Sequence, residues 1–156
     1  MSFSGKPTTF VEQTIKNDGF WPDLSVSEFQ KEQRLPAEYL VELLVDTLKS
    51  AMVEVNTDLA RVKATQQGAG VSSLTAAAGV GTTAAWAYAH KITLYKRAVY
   101  CRAKAHSLPQ FATVNRRESA ENTGKEAPER VETFLAFSQQ AVRVLQGRGR
   151  ITAALQ

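Results

Sequence analysis

Between residues 40 and 62 an apolar side chain returns at every third or fourth position: Leu40, Leu44, Leu48, Met52, Val55, Leu59 and Val62. That spacing places them on one stripe of an α-helix. Val41, Val45 and Ala51 widen the stripe, while Glu38, Glu42, Asp46, Glu54 and Asp58 make the polar face acidic. Pro36 suits a first helical turn, so the pattern predicts a helix from Pro36 to about Gln66. Acidic residues near its start and Arg61 and Lys63 near its end suit the helix dipole. At 1.5 Å per residue such a helix is on the order of 45 Å long, which points to an elongated or wall-forming molecule.

The same reading sets out the rest of the chain. Ser25-x-x-Glu28 is a capping box, in which the serine hydroxyl takes the Glu28 amide and the glutamate reaches back to the Ser25 amide. Leu24 and Phe29 stand at the staple positions around it, and the helix they open should stop near Leu35, ahead of Pro36. Residues 1–19 have no helical period and read as an extended arm. Gly19-Phe20-Trp21-Pro22-Asp23 is a turn whose aromatics either pack beneath the first helix or, if exposed, anchor a partner. Residues 68–83 are rich in Gly, Ala, Ser and Thr and read as a mobile loop. A third helix is predicted from Ala84 to about His106, ended by Leu108-Pro109. It carries two apolar stripes, one through Tyr88, Ile92, Tyr95 and Val99 and one through Leu94, Ala98, Cys101, Ala105 and Leu108, so it should pack against two neighbours. Lys91, Lys96, Arg97, Arg102 and Lys104 lie between the stripes. A polar loop follows over 110–126, and Pro128 opens a last helix that buries Val131, Phe134, Leu135, Ser138, Ala141, Val142 and Leu145 before a glycine stop at Gly147. The expected fold is all-α: a four-helix, bundle-like single domain with two flexible loops. It has an N-terminal arm (1–24), a helical core (25–147) and a C-terminal arm (148–156).

Composition changes this picture little, and charge changes it more. A chain of 156 residues fits one domain able to bury a real core. The lone Cys101 excludes an intrachain disulfide framework. The N-terminus has no apolar secretory core, and no run of 18 apolar residues exists to span a membrane. Net charge is +4, with the acids concentrated in the first 67 residues and the bases in the remainder. Such asymmetry fits nucleic-acid contact, a head-to-tail contact between acidic and basic faces, or simply an uneven solvated surface.

Catalytic chemistry is missing. His90 and His106 share no ligand spacing, and Cys101 and His106 fall about 140° apart around a helix, a poor thiolate pairing. The glycines at 68, 70, 79 and 81 lack the Gly-Lys-Ser/Thr and the preceding strand of a phosphate loop. No zinc ligand set or nucleophile elbow is present, and neither an enzyme nor a cofactor is expected.

The order of several features resembles one family, the head-completion (gpL-type) proteins of Peduovirus-type tailed phages. The features are the aromatic turn Phe20-Trp21-Pro22-Asp23, a short charged helix, Leu35-Pro36-Ala37, the helix segment Ala51 to Asn56, Tyr95 to Val99, and Ala141 to Gly147. The segment around Gly68–Gly81 matches poorly. The resemblance implies a head-tail connector, or adaptor, subunit assembled in the host cytoplasm and resident in the virion. It implies a ring of usually twelve copies beneath the portal protein that retains the genome, lets duplex DNA pass without reading it, and offers a platform to a tail-terminator or neck protein. Within that frame the acidic Glu38, Glu42, Asp46 and Glu54 are expected to meet the basic Lys96, Arg97 and Arg102 between subunits. Arg148, Arg150, Ile151 and Leu155 are expected to dock on the portal. Phe20, Trp21 and Pro22 form an aromatic anchor, and Arg116, Arg117 and Lys125 are candidates for the DNA channel. The alternative is a small basic helical DNA-binding regulator, which would need a helix-turn-helix; the helix after Leu35-Pro36 is acidic and would repel phosphates.

Overall fold

The structure, a computed structural model, describes residues 9–79, 81, 83–115 and 130–149. Among these residues it has six helices and a two-stranded antiparallel pair: β1 (Thr14–Ile15), β2 (Leu24–Ser25), α1 (Val26–Glu32), α2 (Val41–Asp58), α3 (Ala60–Gly68), α4 (Leu74–Ala78), α5 (Thr83–Asn115) and α6 (Val131–Leu145). The expected helical character holds; the count of four helices does not.

The N-terminal arm joins the fold earlier than expected. Thr14 pairs with Ser25 and Ile15 with Leu24, and the Val26 amide donates to the Gln13 carbonyl at 2.9 Å. Ile15 is buried beside Leu24, so the segment before residue 24 is held by a ladder and by burial. At α1, half of the capping box forms: Ser25 Oγ accepts from the Glu28 amide at 3.2 Å. The reciprocal bond does not. The Ser25 amide instead meets the Tyr100 hydroxyl at 3.3 Å, and the Glu28 carboxylate turns to Tyr100 (2.8 Å) and Lys96 (3.0 Å). A tertiary partner with a charged or phenolic donor outcompetes a local amide. Leu24 and Phe29 are both buried in the core.

The long helix begins at Val41 and not at Pro36. Residues 36–40 form a turn, with the Tyr39 amide donating to the Pro36 carbonyl at 3.3 Å and Leu40 extended at ψ 122° as the N-cap. Leu40 therefore leaves the buried stripe to which its spacing assigned it, and is 69% exposed. The stripe holds from Leu44 through Leu48, Ala51 and Val55 to Leu59, all fully buried. At Leu59 the helix breaks, and α3 beyond it buries no residue. Gly70, at φ +91°, closes α3: the Val71 amide bonds to the Gln66 carbonyl and the Gly70 amide to the Gln67 carbonyl, each at 3.0 Å.

The segment 68–83 is only partly a loop. Ser73 caps α4 by accepting from the Ala76 amide at 3.1 Å, Leu74 is buried, and its amide bonds to the Phe20 carbonyl at 3.1 Å. Buried Leu74 holds α4 against α5 in this Gly/Ala-rich stretch.

The central element is α5, which packs on α2, α4 and α6. From Ala98 to Ala105 every residue is buried, including Arg102 and Lys104. Two apolar stripes predicted two neighbours; α5 has three, and its buried cations Arg102 and Lys104 find partners. The helix also runs on past Leu108-Pro109 to Asn115. Pro109 is exposed, where a proline forfeits one hydrogen bond without obstructing the packed face. Helix α6 starts at Val131; Pro128 lies outside the described residues. Its end is as expected: Gly147, at φ +72°, completes a Schellman motif in which Arg148 N donates to Arg143 O at 2.9 Å and Gly147 N to Val144 O at 3.0 Å.

Candidate assembly surfaces

The aromatic turn faces inward. Phe20 and Trp21 are 1% and 3% exposed, and Pro22 is buried with them. Trp21 stacks on Tyr95 at 4.7 Å and 5°, and Phe20 meets the edge of Trp21 at 4.9 Å and 87°. Asp18 shapes the turn. One of its oxygens accepts from the Phe20 and Trp21 amides, both at 3.0 Å, and the other from Lys63 at 2.8 Å. Burial works against the Asp18 carboxylate, but the Lys63 ammonium and the two amides prevail and hold its pKa below the ordinary value. Gly19 provides the φ of +89° that the reversal needs. The anchor formed by Phe20, Trp21 and Pro22 thus ties the N-terminal segment to α5 within one subunit.

Beneath the turn lies a closed ring of three side-chain hydrogen bonds. Tyr95 OH donates to Asn56 Oδ1 (2.6 Å), Asn56 Nδ2 to Asn17 Oδ1 (2.9 Å), and Asn17 Nδ2 to Tyr95 OH (2.7 Å). Burial raises the Tyr95 hydroxyl far above its ordinary range, so it stays protonated and can donate. Neither Asn17 nor Asp18 was singled out by sequence reasoning. The available signal was Asn-Asp-Gly ahead of two aromatics, a turn in which Asx side chains bond the following backbone.

The cations of α5 are largely used inside the subunit. Arg102 Nη1 lies 2.9 Å from Asp58 and 3.6 Å from Glu54, and its Nε donates to Ser138 Oγ at 3.2 Å. Ser138 in turn donates to the Ala98 carbonyl at 2.7 Å, linking α2, α5 and α6. Lys96 pairs with Glu28. Lys104 donates to the Gln33 carbonyl at 2.8 Å and lies 4.5 Å from the Phe134 ring centroid. Arg97 is exposed and lies over Phe137 at 5.4 Å. Of the residues expected to pair between subunits, Glu54, Lys96 and Arg102 therefore have intrasubunit partners.

Around the start of α2, Glu38, Leu40, Glu42 and Asp46 are all exposed. At the other end of the sequence, Arg148 is exposed just after the α6 cap. Arg150, Ile151 and Leu155, and the channel candidates Arg116, Arg117 and Lys125, lie outside the described residues. Among the described residues no group of three or more His, Cys, Asp or Glu is arranged to hold a metal ion, and no helix is long and apolar enough to cross a membrane. Burial raises the Cys101 thiol pKa, the opposite of what nucleophilic chemistry requires.

What this arrangement offers is surface: a helical body with exposed acids at the start of α2, an exposed arginine after α6 and exposed apolar residues such as Leu40 and Val144. Comparison with known proteins identifies it. The family model described as "Phage head completion protein (GPL)" matches residues 15–155. A relative from Haemophilus phage HP1 (strain HP1c1), described as "Probable head completion/stabilization protein", is 34% identical over 148 residues, covering 95% of this chain and 95% of its own. No solved structure matches. With nearly its whole length matched, the chain belongs to the phage head completion protein (GPL) family.

Proposed function

We propose that this protein is a head-tail connector subunit. It assembles as a ring beneath the portal after packaging, stabilises the packaged DNA and forms the platform for tail attachment. The observation that carries this reading is the match over residues 15–155 to the head-completion family. The structure adds support of a physical kind. Glu42 and Asp46 are exposed acids with no ion-pair partner among the described residues of their own subunit. Rim charges of this sort steer encounter and set register between subunits. The regulator alternative loses ground because α1 and α2 are joined by a turn whose second helix presents Glu42 and Asp46, which would repel a phosphate backbone.

The portal-docking role is assigned to the C-terminal tail. Ile151 and Leu155 would contribute roughly 1.5–3 kcal/mol each if fully buried on a partner, and Arg150 would add charge-assisted bonds to acidic portal loops. Arg116, Arg117 and Lys125 keep the role of candidates for sequence-independent contact with passing DNA. The experiment is deletion of residues 150–156. Cutting there retains the Arg148 amide, which closes the α6 cap at 2.9 Å. The expected result is a folded protein of unchanged melting temperature that fails to remain on portals and leaves heads that leak DNA. Stable, filled heads made with the shortened protein would move the docking surface elsewhere.

A further inference from the structure

The ends of α2 and α6 carry complementary surfaces that the subunit cannot bring together itself. Around the C-terminus of α6 lie two adjoining open grooves, of about 330 and 660 Å³, both lined by Arg148. Their apolar lining includes Val62, Val144 and Leu145, with Val144 48% exposed. Their rim is cationic. Arg61 and Arg148 are exposed and have no acidic partner among the described residues, and Arg143 Nε is buried without a hydrogen-bond partner. The one carboxylate in the larger groove, Asp58, is already matched by Arg102 at 2.9 Å.

The start of α2 has the inverse chemistry. Leu40 is 69% exposed, Val41 and Val45 are half-buried, and Glu42 and Asp46 stand exposed beside them. Glu42 and Asp46 have no ion-pair partner among the described residues, and a groove of mixed lining that sets Val62 and Val144 among arginines is the surface that complements them and Leu40. Within one chain nearly the whole of α2 separates Glu42 from Arg61, on the order of 25 Å at 1.5 Å per residue. We infer that the occupant of the α3–α6 groove is the N-terminal end of α2 from a second copy of this chain. Leu40 and Val41 lie on the apolar lining, and Glu42 and Asp46 meet Arg61 and Arg148. Because the two patches differ, the contact is heterologous and propagates head to tail, closing into a ring when its rotation divides the circle. The inference rests on the ring-forming reading above and names its interface. It assigns Arg148 to the neighbouring subunit and leaves the residues after it for the portal.

The test is a charge swap in phage lacking the gene and supplied with it in trans. Glu42→Arg with Asp46→Arg, and separately Arg61→Glu with Arg148→Glu, should each reduce the copies of this protein per head, filled and emptied heads counted together, by about tenfold, the scale of a few lost rim pairs. The four substitutions together should restore incorporation to within about threefold of wild type, since the attraction is re-formed with its sign reversed. A quadruple variant no better than the worse double variant would overturn the inference, as would normal incorporation of either double variant; an acidic segment of another protein in the groove gives the first of these outcomes. A second measurement does not depend on the swap. Leu40→Cys with Val144→Cys should form subunit-to-subunit disulfides in heads under mild oxidation, and failure to cross-link in filled heads counts against the contact. If wild-type protein is absent from filled heads, it is the connector reading that fails, not the interface alone.

Discussion

Replacing Tyr95 by Phe removes one oxygen from the centre of the molecule and keeps the ring that stacks on Trp21 at 4.7 Å. The hydroxyl makes two bonds, donating to Asn56 at 2.6 Å and accepting from Asn17 at 2.7 Å. Asn17 Nδ2 keeps a second acceptor, the Pro22 carbonyl at 2.9 Å, so its loss is partial. Asn56 Oδ1 loses its donor in a half-buried site. A net hydrogen bond contributes about 1 kcal/mol, and an acceptor left unpaired adds to the cost; together these give a destabilisation of about 2 kcal/mol. For a domain of this size that lowers Tm by about 4–8 °C. The assay is thermal and urea unfolding of the purified Tyr95→Phe variant, followed by a double-mutant cycle with Asn56→Ala. The cycle should show coupling of about 1 kcal/mol, because both substitutions break the same bond. A Tm within about 1 °C of wild type, or additive effects in the cycle, would refute the argument that the closed ring holds the aromatic turn to α2 and α5.

Two further substitutions probe local geometry and charge. Arg34 sits at φ +54° in the Schellman motif that ends α1, with Leu35 N bonded to Gln30 O at 2.9 Å. Glycine removes a left-handed penalty of about 1–2 kcal/mol and adds chain entropy to the unfolded state, so Arg34→Gly should stabilise by about 0.5–1 kcal/mol in urea unfolding; a loss of stability would contradict the strain. The depressed pKa of Asp18 means that its ion pair and turn bonds stabilise the fold fully above the unfolded aspartate pKa, about 3.9. That contribution is lost as pH falls through the lower, folded value. Unfolding free energy measured between pH 5 and pH 2 should therefore fall less steeply for Asp18→Asn than for wild type, and parallel curves would remove Asp18 from the account.

Three of the features that carried the family resemblance, the aromatic turn, the segment ending at Asn56 and the segment starting at Tyr95, share one location. Phe20, Trp21, Pro22, Asn56 and Tyr95 are spread over 75 positions of sequence, yet six ring contacts and hydrogen bonds join them to one another and to Asn17. These contacts hold the N-terminal turn to α2 and α5 within one subunit. That explains how their order identified the family while saying little about which side chains meet portal or neighbour.

Local sequence pattern determined the helical class, the buried stripe positions Leu44, Leu48, Val55 and Leu59, the Ser25 cap and the glycine stop at Gly147, while Met52 and Val62 of the same stripe are only half-buried. Each depends on contacts within a few residues, for which spacing is sufficient information. The same reasoning failed at Leu40, at Pro109 and in the Gly/Ala segment. Leu40 fits the stripe by number but lies in an extended N-cap. Pro109 marks a local stop that the continuous helix overrides. Leu74 orders its low-complexity surroundings through a core position and a bond to Phe20. The assignment of Arg102, Lys96 and Glu54 to pairs inside the subunit was likewise decided by tertiary structure. A charge's partner depends on which helices pack together, and burial of Arg102 makes a nearby acid obligatory. Sequence spacing specifies the face of a helix on which a residue stands; only the packing of α2, α5 and α6 determines what that face meets.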